Sequence, residues 1–209
     1  MKLRMFLSDY PVILAQISQS TSEISAINIC MKLTQLNETK EKLTLEPLPY
    51  ARDALEPVMS KKTVIYHYDH LTKGYVDRFN SGEGDPAFNE AGAFLHAIFW
   101  AQFRAPKTPN RPIGAALKLI EDNYDSYEDF KDQIIKAAKT IQGSGWVYLS
   151  KSGEIKTIPN HKIKRDILIA IDFWEHTYAL DYEWDKDSFL SKIWRCIDWT
   201  VINHRLSGR

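Results

Sequence analysis

The stretch Asp166-Ile167-Leu168-Ile169-Ala170-Ile171-Asp172-Phe173-Trp174-Glu175-His176 decides how this chain is read. From Ile167 to Ile171 it is an unbroken aliphatic run, the pattern of a strand. Residues 166–171 therefore read as a strand. The run ends in a carboxylate and an imidazole four residues apart, Asp172 and His176, set among aromatic side chains. The two can converge on one ion if the segment bends or starts a helical turn there. Buried without a partner, both would be costly.

Working outward, Trp146-Val147-Tyr148-Leu149 and Ile155-Lys156-Thr157-Ile158 read as two further strands, joined at a hairpin turn by Ser152-Gly153. Before them, helices are expected over roughly 112–123 and from Ser126, where Asp129 three residues on completes a capping pattern; Gly143-Ser144-Gly145 ends the second. After them, one helix is expected from about Lys186 to His204. Further upstream, beyond Pro47-Leu48-Pro49, Ser60 caps a helix in which Val64, Tyr68, Leu71, Tyr75 and Phe79 recur at three and four. Ser81-Gly82-Glu83-Gly84 breaks it. Asp85-Pro86 then starts another helix, marked by Phe88, Gly92, Leu95, Phe99 and Phe103.

The fold class is α+β: an N-terminal antiparallel helical hairpin, then a C-terminal domain of helices around a small three-stranded antiparallel sheet. The boundaries are an extension of unassigned role over 1–43, the hairpin over 44–105, and the α+β domain over 106–209, with Ala105-Pro106-Lys107-Thr108-Pro109 as the joint.

The 209 residues are 44% hydrophobic and 26% charged, the balance of a globular protein with a real core. Lys+Arg and Asp+Glu are equal at 27 each, so no global field draws in nucleic acid or acidic lipid. No run has the apolar length of a membrane span. Cys30 and Cys196 form neither a thiolate metal motif nor a disulfide framework, and a reducing compartment fits, so a cytoplasmic location is expected over secretion.

Two more histidines share the setting of His176. His67 lies in Tyr66-His67-Tyr68 and His96 in Phe94-Leu95-His96-Ala97-Ile98-Phe99-Trp100, both mid-helix among apolar residues. Singly, each reads as a core histidine bonded to a carbonyl, and Asp172 as a turn or cap residue. Together with their surroundings they form a pattern. Leu48-Pro49-Tyr50-Ala51 with Ala54-Leu55-Glu56-Pro57, Tyr66-His67-Tyr68 with Tyr75-Val76, His96 to Trp100, Gly143-Ser144-Gly145-Trp146, Asp172-Phe173-Trp174-Glu175-His176, and Trp194 with Asp198-Trp199 follow in order over about 45–202. In this the chain resembles the iron/manganese superoxide dismutases.

The resemblance implies a superoxide dismutase with one iron or manganese ion per subunit, ligated by His67, His96, Asp172 and His176. It implies superoxide as substrate and a homodimer or tetramer, with Glu175 reaching the partner subunit. Tyr75 falls at the family's gateway tyrosine. His161 falls where many members carry a glutamine donor; Gly92 occupies that donor's alternative position. Trp100, Trp146 and Trp174 are expected to wall the site.

Four features depart from the family. The span from Tyr75 to His96 is shorter. Leu71 and Ala179 replace a histidine and a tyrosine that bond across the dimer interface; losing both partners together is nearly neutral. Glu183-Trp184-Asp185 stands where an Arg-Pro segment is usual, leaving Lys73 or Arg104 as candidates to guide the anion. The N-terminal extension has no counterpart. These leave a second reading, a catalytically silent structural or assembly protein on the same scaffold.

Overall fold

A computed structural model describes residues 41–208. The expected extension over 1–43 lies almost wholly outside the described residues, as does Cys30.

The first helix, α1 (Lys61–Val64), starts where Ser60 was expected to cap it: the Ser60 Oγ accepts from the Thr63 N–H at 3.2 Å. It runs on into a π-helical stretch, Ile65–Thr72, and then α2 (Lys73–Ser81). The π stretch was not foreseen. Within it the Thr72 hydroxyl donates to the His67 carbonyl five residues back, at 2.9 Å. The wider winding displaces the expected stripe: Val64, Tyr68, Tyr75 and Phe79 are buried, whereas Leu71 is only half-buried.

Gly82, at φ 74°, closes α2 in the left-handed conformation that a side chain would disfavour. The next helix, α3 (Pro86–Ala101), opens with Asp85 accepting from the Ala87 and Phe88 N–H groups at 2.8 and 3.0 Å. α2 and α3 run antiparallel. Arg78 Nε donates to Asn89 near the tip at 3.2 Å, and Trp100 Nε1 donates to Thr72 Oγ1 near the base at 2.9 Å.

After an irregular connection come α4 (Gly114–Asn123) and α5 (Tyr127–Lys139). Ser126 caps the latter, its Oγ accepting from Asp129 N–H at 2.9 Å. The strands β1 (Gly145–Ser150), β2 (Ile155–Pro159) and β3 (Ile167–Asp172) form one antiparallel sheet in the order β2-β1-β3. β1 and β3 are buried along their whole length, as the unbroken aliphatic run requires. Trp146 pairs with Asp172 across β1 and β3, which sets the indole beside the carboxylate.

Two expectations for the C-terminal part are corrected. A full helix, α6 (Glu175–Tyr182), stands two residues after β3, where the sequence suggests only a bend or the start of a helical turn. The single helix expected from Lys186 to His204 is instead α7 (Lys186–Lys192), a 3₁₀ turn (Ile193–Cys196) and α8 (Trp199–Ser207). The break at Ile197-Asp198 has a physical cause. Arg104 N–H bonds Cys196 O and Asp198 N–H bonds Gln102 O, both at 2.8 Å, so the chain is held extended against the end of α3. Asp198 then caps α8.

The core gathers around β1 and β3, with Leu95, Phe99, Phe130, Trp146, Phe189 and Leu190 almost wholly buried. Each such side chain contributes about 1.5–3 kcal/mol. Cys196 lies in this core as a small buried thiol. Among the described residues no helix is long and apolar enough to cross a membrane.

Candidate metal centre

The π stretch carries His67, α3 carries His96, and the β3–α6 junction carries Asp172 and His176. Their donor atoms lie within 4.8 Å of one another. Asp172 Oδ2 is the hub: His67 Nε2, His176 Nε2 and His96 Nε2 stand 3.2, 3.3 and 3.5 Å from it. The other oxygen, Oδ1, accepts from the Trp174 N–H at 2.9 Å, which locks the carboxylate's rotation. His67, His96 and Asp172 are fully buried; only His176 retains slight exposure, 13% of its side chain.

The protonation pattern of this cluster follows from its partners. His96 Nδ1 lies 2.7 Å from the Gly92 carbonyl, which can only accept, so the proton sits on Nδ1. Burial lowers the His96 pKa well below the usual 6.5, and the ring is neutral. Its Nε2 lone pair therefore faces the Asp172 carboxylate, and among the described residues neither Nε2 of His67 nor that of His96 has a hydrogen-bond partner. Burial likewise lowers His67 to about 4. Burial alone would raise Asp172, but His176 and His67 beside it outweigh that and hold its carboxyl well below the usual carboxylate range.

Lone pairs aimed at an ionised carboxylate in a dry pocket repel one another, and a cation between them removes the conflict. Three imidazole nitrogens and one carboxylate oxygen suit iron or manganese, and the Nδ1–H bond to a backbone carbonyl is the usual way a ligating imidazole is oriented.

Around the cluster, Trp100 packs edge-on to His67 at 4.8 Å between ring centroids, Trp146 edge-on to His96 at 5.1 Å, and Trp174 tilted against His176 at 5.7 Å. The Tyr75 ring tilts over His96 at 5.2 Å. Its hydroxyl meets His161 Nε2 at 2.9 Å. His161, from the loop after β2, is buried and stacks flat on Trp174 at 4.7 Å. Trp146 Nε1–H donates to His161 Nδ1 at 3.1 Å. An indole nitrogen only donates, so neutral His161 carries its proton on Nε2 and donates to the Tyr75 oxygen. Burial lowers His161 to about 4 and raises Tyr75 to about 12, so both stay neutral at physiological pH.

Gly92 makes room for this arrangement. A Cβ there would stand 2.7 Å from the Tyr75 ring. Glu175 lies with Lys62, Tyr66, Ala179 and Leu180 in an open cleft over His176, on the outer face. Leu71 and Ala179 are both half-buried.

Lys73 and Arg104, the candidates for anion guidance, are engaged elsewhere. Lys73 pairs with Asp77 at 2.5 Å, and Arg104 bonds Asn110 at 2.7 Å away from the cluster. Glu183-Trp184-Asp185 forms the connection from α6 to α7. Three contributors to the site are not assigned to it by the sequence: Thr72, which joins His67 O to Trp100 Nε1; Phe88, read only as part of a helix face, against the His161 ring at 4.7 Å; and Gln102, buried just past α3. A buried threonine or glutamine in a helix carries no periodic signal.

A helical hairpin and a small-sheet domain thus enclose a buried three-histidine, one-aspartate donor set. Residues 42–85 match the alpha-hairpin domain of iron/manganese superoxide dismutases, and residues 112–205 match their C-terminal domain. The chain belongs to the iron/manganese superoxide dismutase family.

An iron superoxide dismutase of Pyrobaculum aerophilum is 33% identical over 197 residues, spanning 80% of this chain and 93% of the relative. An iron enzyme of Bacteroides fragilis is 34% identical over 186 residues (76% and 96%), and the mitochondrial manganese enzyme of Schizosaccharomyces pombe 34% over 195 residues (80% and 89%). All three are superoxide dismutases, and the silent structural reading finds no support in them.

Proposed function

We propose that His67, His96, Asp172 and His176 hold one iron or manganese ion, and that with it the chain converts two superoxide anions and two protons to dioxygen and hydrogen peroxide. The observation that carries this is the convergence of four donor atoms within 4.8 Å in a buried pocket, with the His96 lone pair forced inward by the Gly92 carbonyl. Held by these four residues, the ion would supply one-electron redox chemistry toward superoxide.

The chain's own residues manage charge and protons. Asp172, ionised and tied to the Trp174 N–H, gives the pocket its negative charge; the buried imidazoles of His67 and His96 add donors without charge. Trp146 fixes the His161 tautomer, His161 donates to Tyr75, and the Tyr75 proton is left free to point into the pocket. The phenol, raised to about 12, acts as a hydrogen-bond donor and not as an anion. Trp100, Trp146 and Trp174 keep the centre dry, which strengthens each of these interactions.

Superoxide is the substrate, and the subunits pair as homodimers across the face that carries Glu175 and half-buried Ala179. The chain divides functionally into the hairpin over 44–105 and the α+β domain over 106–209, each giving two ligands, and works in the cytoplasm. Elemental analysis of the purified protein, with superoxide consumption measured after iron and after manganese reconstitution, tests the whole. One equivalent of either metal per subunit with activity is the expected result; neither metal and no activity would overturn it.

A further inference from the structure

Among the described residues β3 is an edge strand, and its outer side has no strand neighbour. That edge is nonetheless bonded. Gln102, one residue past α3 and fully buried, donates from Nε2 to Ala170 O at 2.5 Å and accepts at Oε1 from Ala170 N–H at 3.1 Å. One side-chain amide takes both backbone groups of a residue, as a neighbouring strand would. Only this orientation of the amide satisfies both bonds.

Arg205, from α8, extends the same edge. Its Nη1 donates to Leu168 O at 2.9 Å and approaches Gln102 Oε1 at 3.4 Å, while Nη2 donates to Ile98 O at 2.7 Å. No carboxylate pairs with Arg205 among the described residues; oxygen atoms of α3, β3 and Gln102 carry its charge.

The two ends of this brace matter for the metal centre. Gln102 follows His96 by six residues at the end of α3, and Ala170 precedes Asp172 by two on β3. Apolar packing between helix and strand resists separation but tolerates sliding. A two-pronged hydrogen bond fixes position along the strand. We propose that Gln102, backed by Arg205, is a positioning residue that sets Asp172 against His96, now 3.5 Å apart between Oδ2 and Nε2, and thereby tunes the hold on the metal and its redox behaviour. This rests on the ligand assignment above.

The test uses holoenzyme reconstituted with manganese and with iron. Gln102→Met keeps the volume and removes both bonds; Gln102→Glu keeps acceptance from Ala170 N–H and loses donation to Ala170 O. Metal release to a chelator, the visible absorption band, the midpoint potential and the thermal midpoint are read for each. Expected for Gln102→Met is release about tenfold faster, as outer-shell changes typically give, with a shifted band and potential; Gln102→Glu falls between it and the parent. A lower thermal midpoint with release, band and potential unchanged would make the brace merely structural and overturn the proposal. If Gln102→Met does not fold, Gln102→Glu and Arg205→Lys decide it by the same readouts. Asp172→Ala separates the two failures: metal held as tightly as in the parent would sink the ligand assignment itself.

Discussion

The two regions that meet at the proposed metal centre hold their histidines differently. The hairpin presents His67 and His96 from the middle of helical segments, fully buried and fixed by backbone winding. The β3–α6 corner presents Asp172 and His176 from either side of a strand-to-helix junction, fixed by one N–H bond from Trp174, with His176 facing an open cleft. The hairpin's two histidines form a fully buried wall. The corner is where charge enters the pocket and where solvent comes nearest, so substitutions in the two regions should have unequal effects.

The largest effect belongs to the corner's carboxylate, because it touches all three imidazoles. Asp172→Ala should cost roughly 3–5 kcal/mol of metal binding, the scale of breaking a buried charge pair. Metal content after dialysis against chelator would fall by two or more decades. Among the histidines the order should reverse the exposure: His67→Ala and His96→Ala should retain less metal than His176→Ala, whose site water can enter. Equal retention in all three would erase the contrast between wall and corner.

The wall should also dominate the acid sensitivity of the metal-free protein. His67 has a folded pKa of about 4 against about 6.5 unfolded. Between those values the unfolded chain takes up a proton that the folded one refuses, so stability falls as pH drops from 6.5 to 4. His67 alone accounts for about 3 kcal/mol of that loss, and His96 and His161, also lowered by burial, steepen it. Urea unfolding of the apoprotein at several pH values measures the slope; a flat profile would show that these rings are not desolvated.

A smaller, chemically distinct effect is expected beyond the ligands. His161→Ala should keep the metal bound while lowering activity by about 10–100-fold and shifting the midpoint potential. Unchanged redox behaviour would remove His161 from the mechanism. Smallest of all, Gly92→Ala drives a Cβ into the Tyr75 ring and should cost about 1–3 kcal/mol of stability. The Tyr75–His161 contact should be displaced with the ligands untouched, visible as a lower thermal midpoint with full metal content.

Much of this was legible in the sequence because it rests on local rules. Ser60, Asp85 and Ser126 cap the helices they were expected to cap, and the aliphatic run over 167–171 is a buried strand. The four candidate ligands could be picked out together because their blocks recur in the family's order. What stayed hidden depends on distant backbone. The break at Ile197-Asp198 answers to carbonyl and amide groups of residues 102–104, nearly a hundred positions away. His161, which alone reads as an exposed loop histidine, is buried only because Tyr75, Phe88, Trp146 and Trp174 close over it. Composition gives no hint of such enclosure.

The π-helical stretch carries one more consequence. His67 and Tyr75 are eight residues apart, and in an α-helix of about 3.6 residues per turn that leaves them some 80° out of phase. The wider turn over Ile65–Thr72, closed by the Thr72 hydroxyl, absorbs the surplus rotation and swings the phenol round to the ligand's side. The segment works as an angular gauge, so adding or deleting a single residue between Tyr68 and Leu71 would turn Tyr75 out of the pocket while leaving its identity intact.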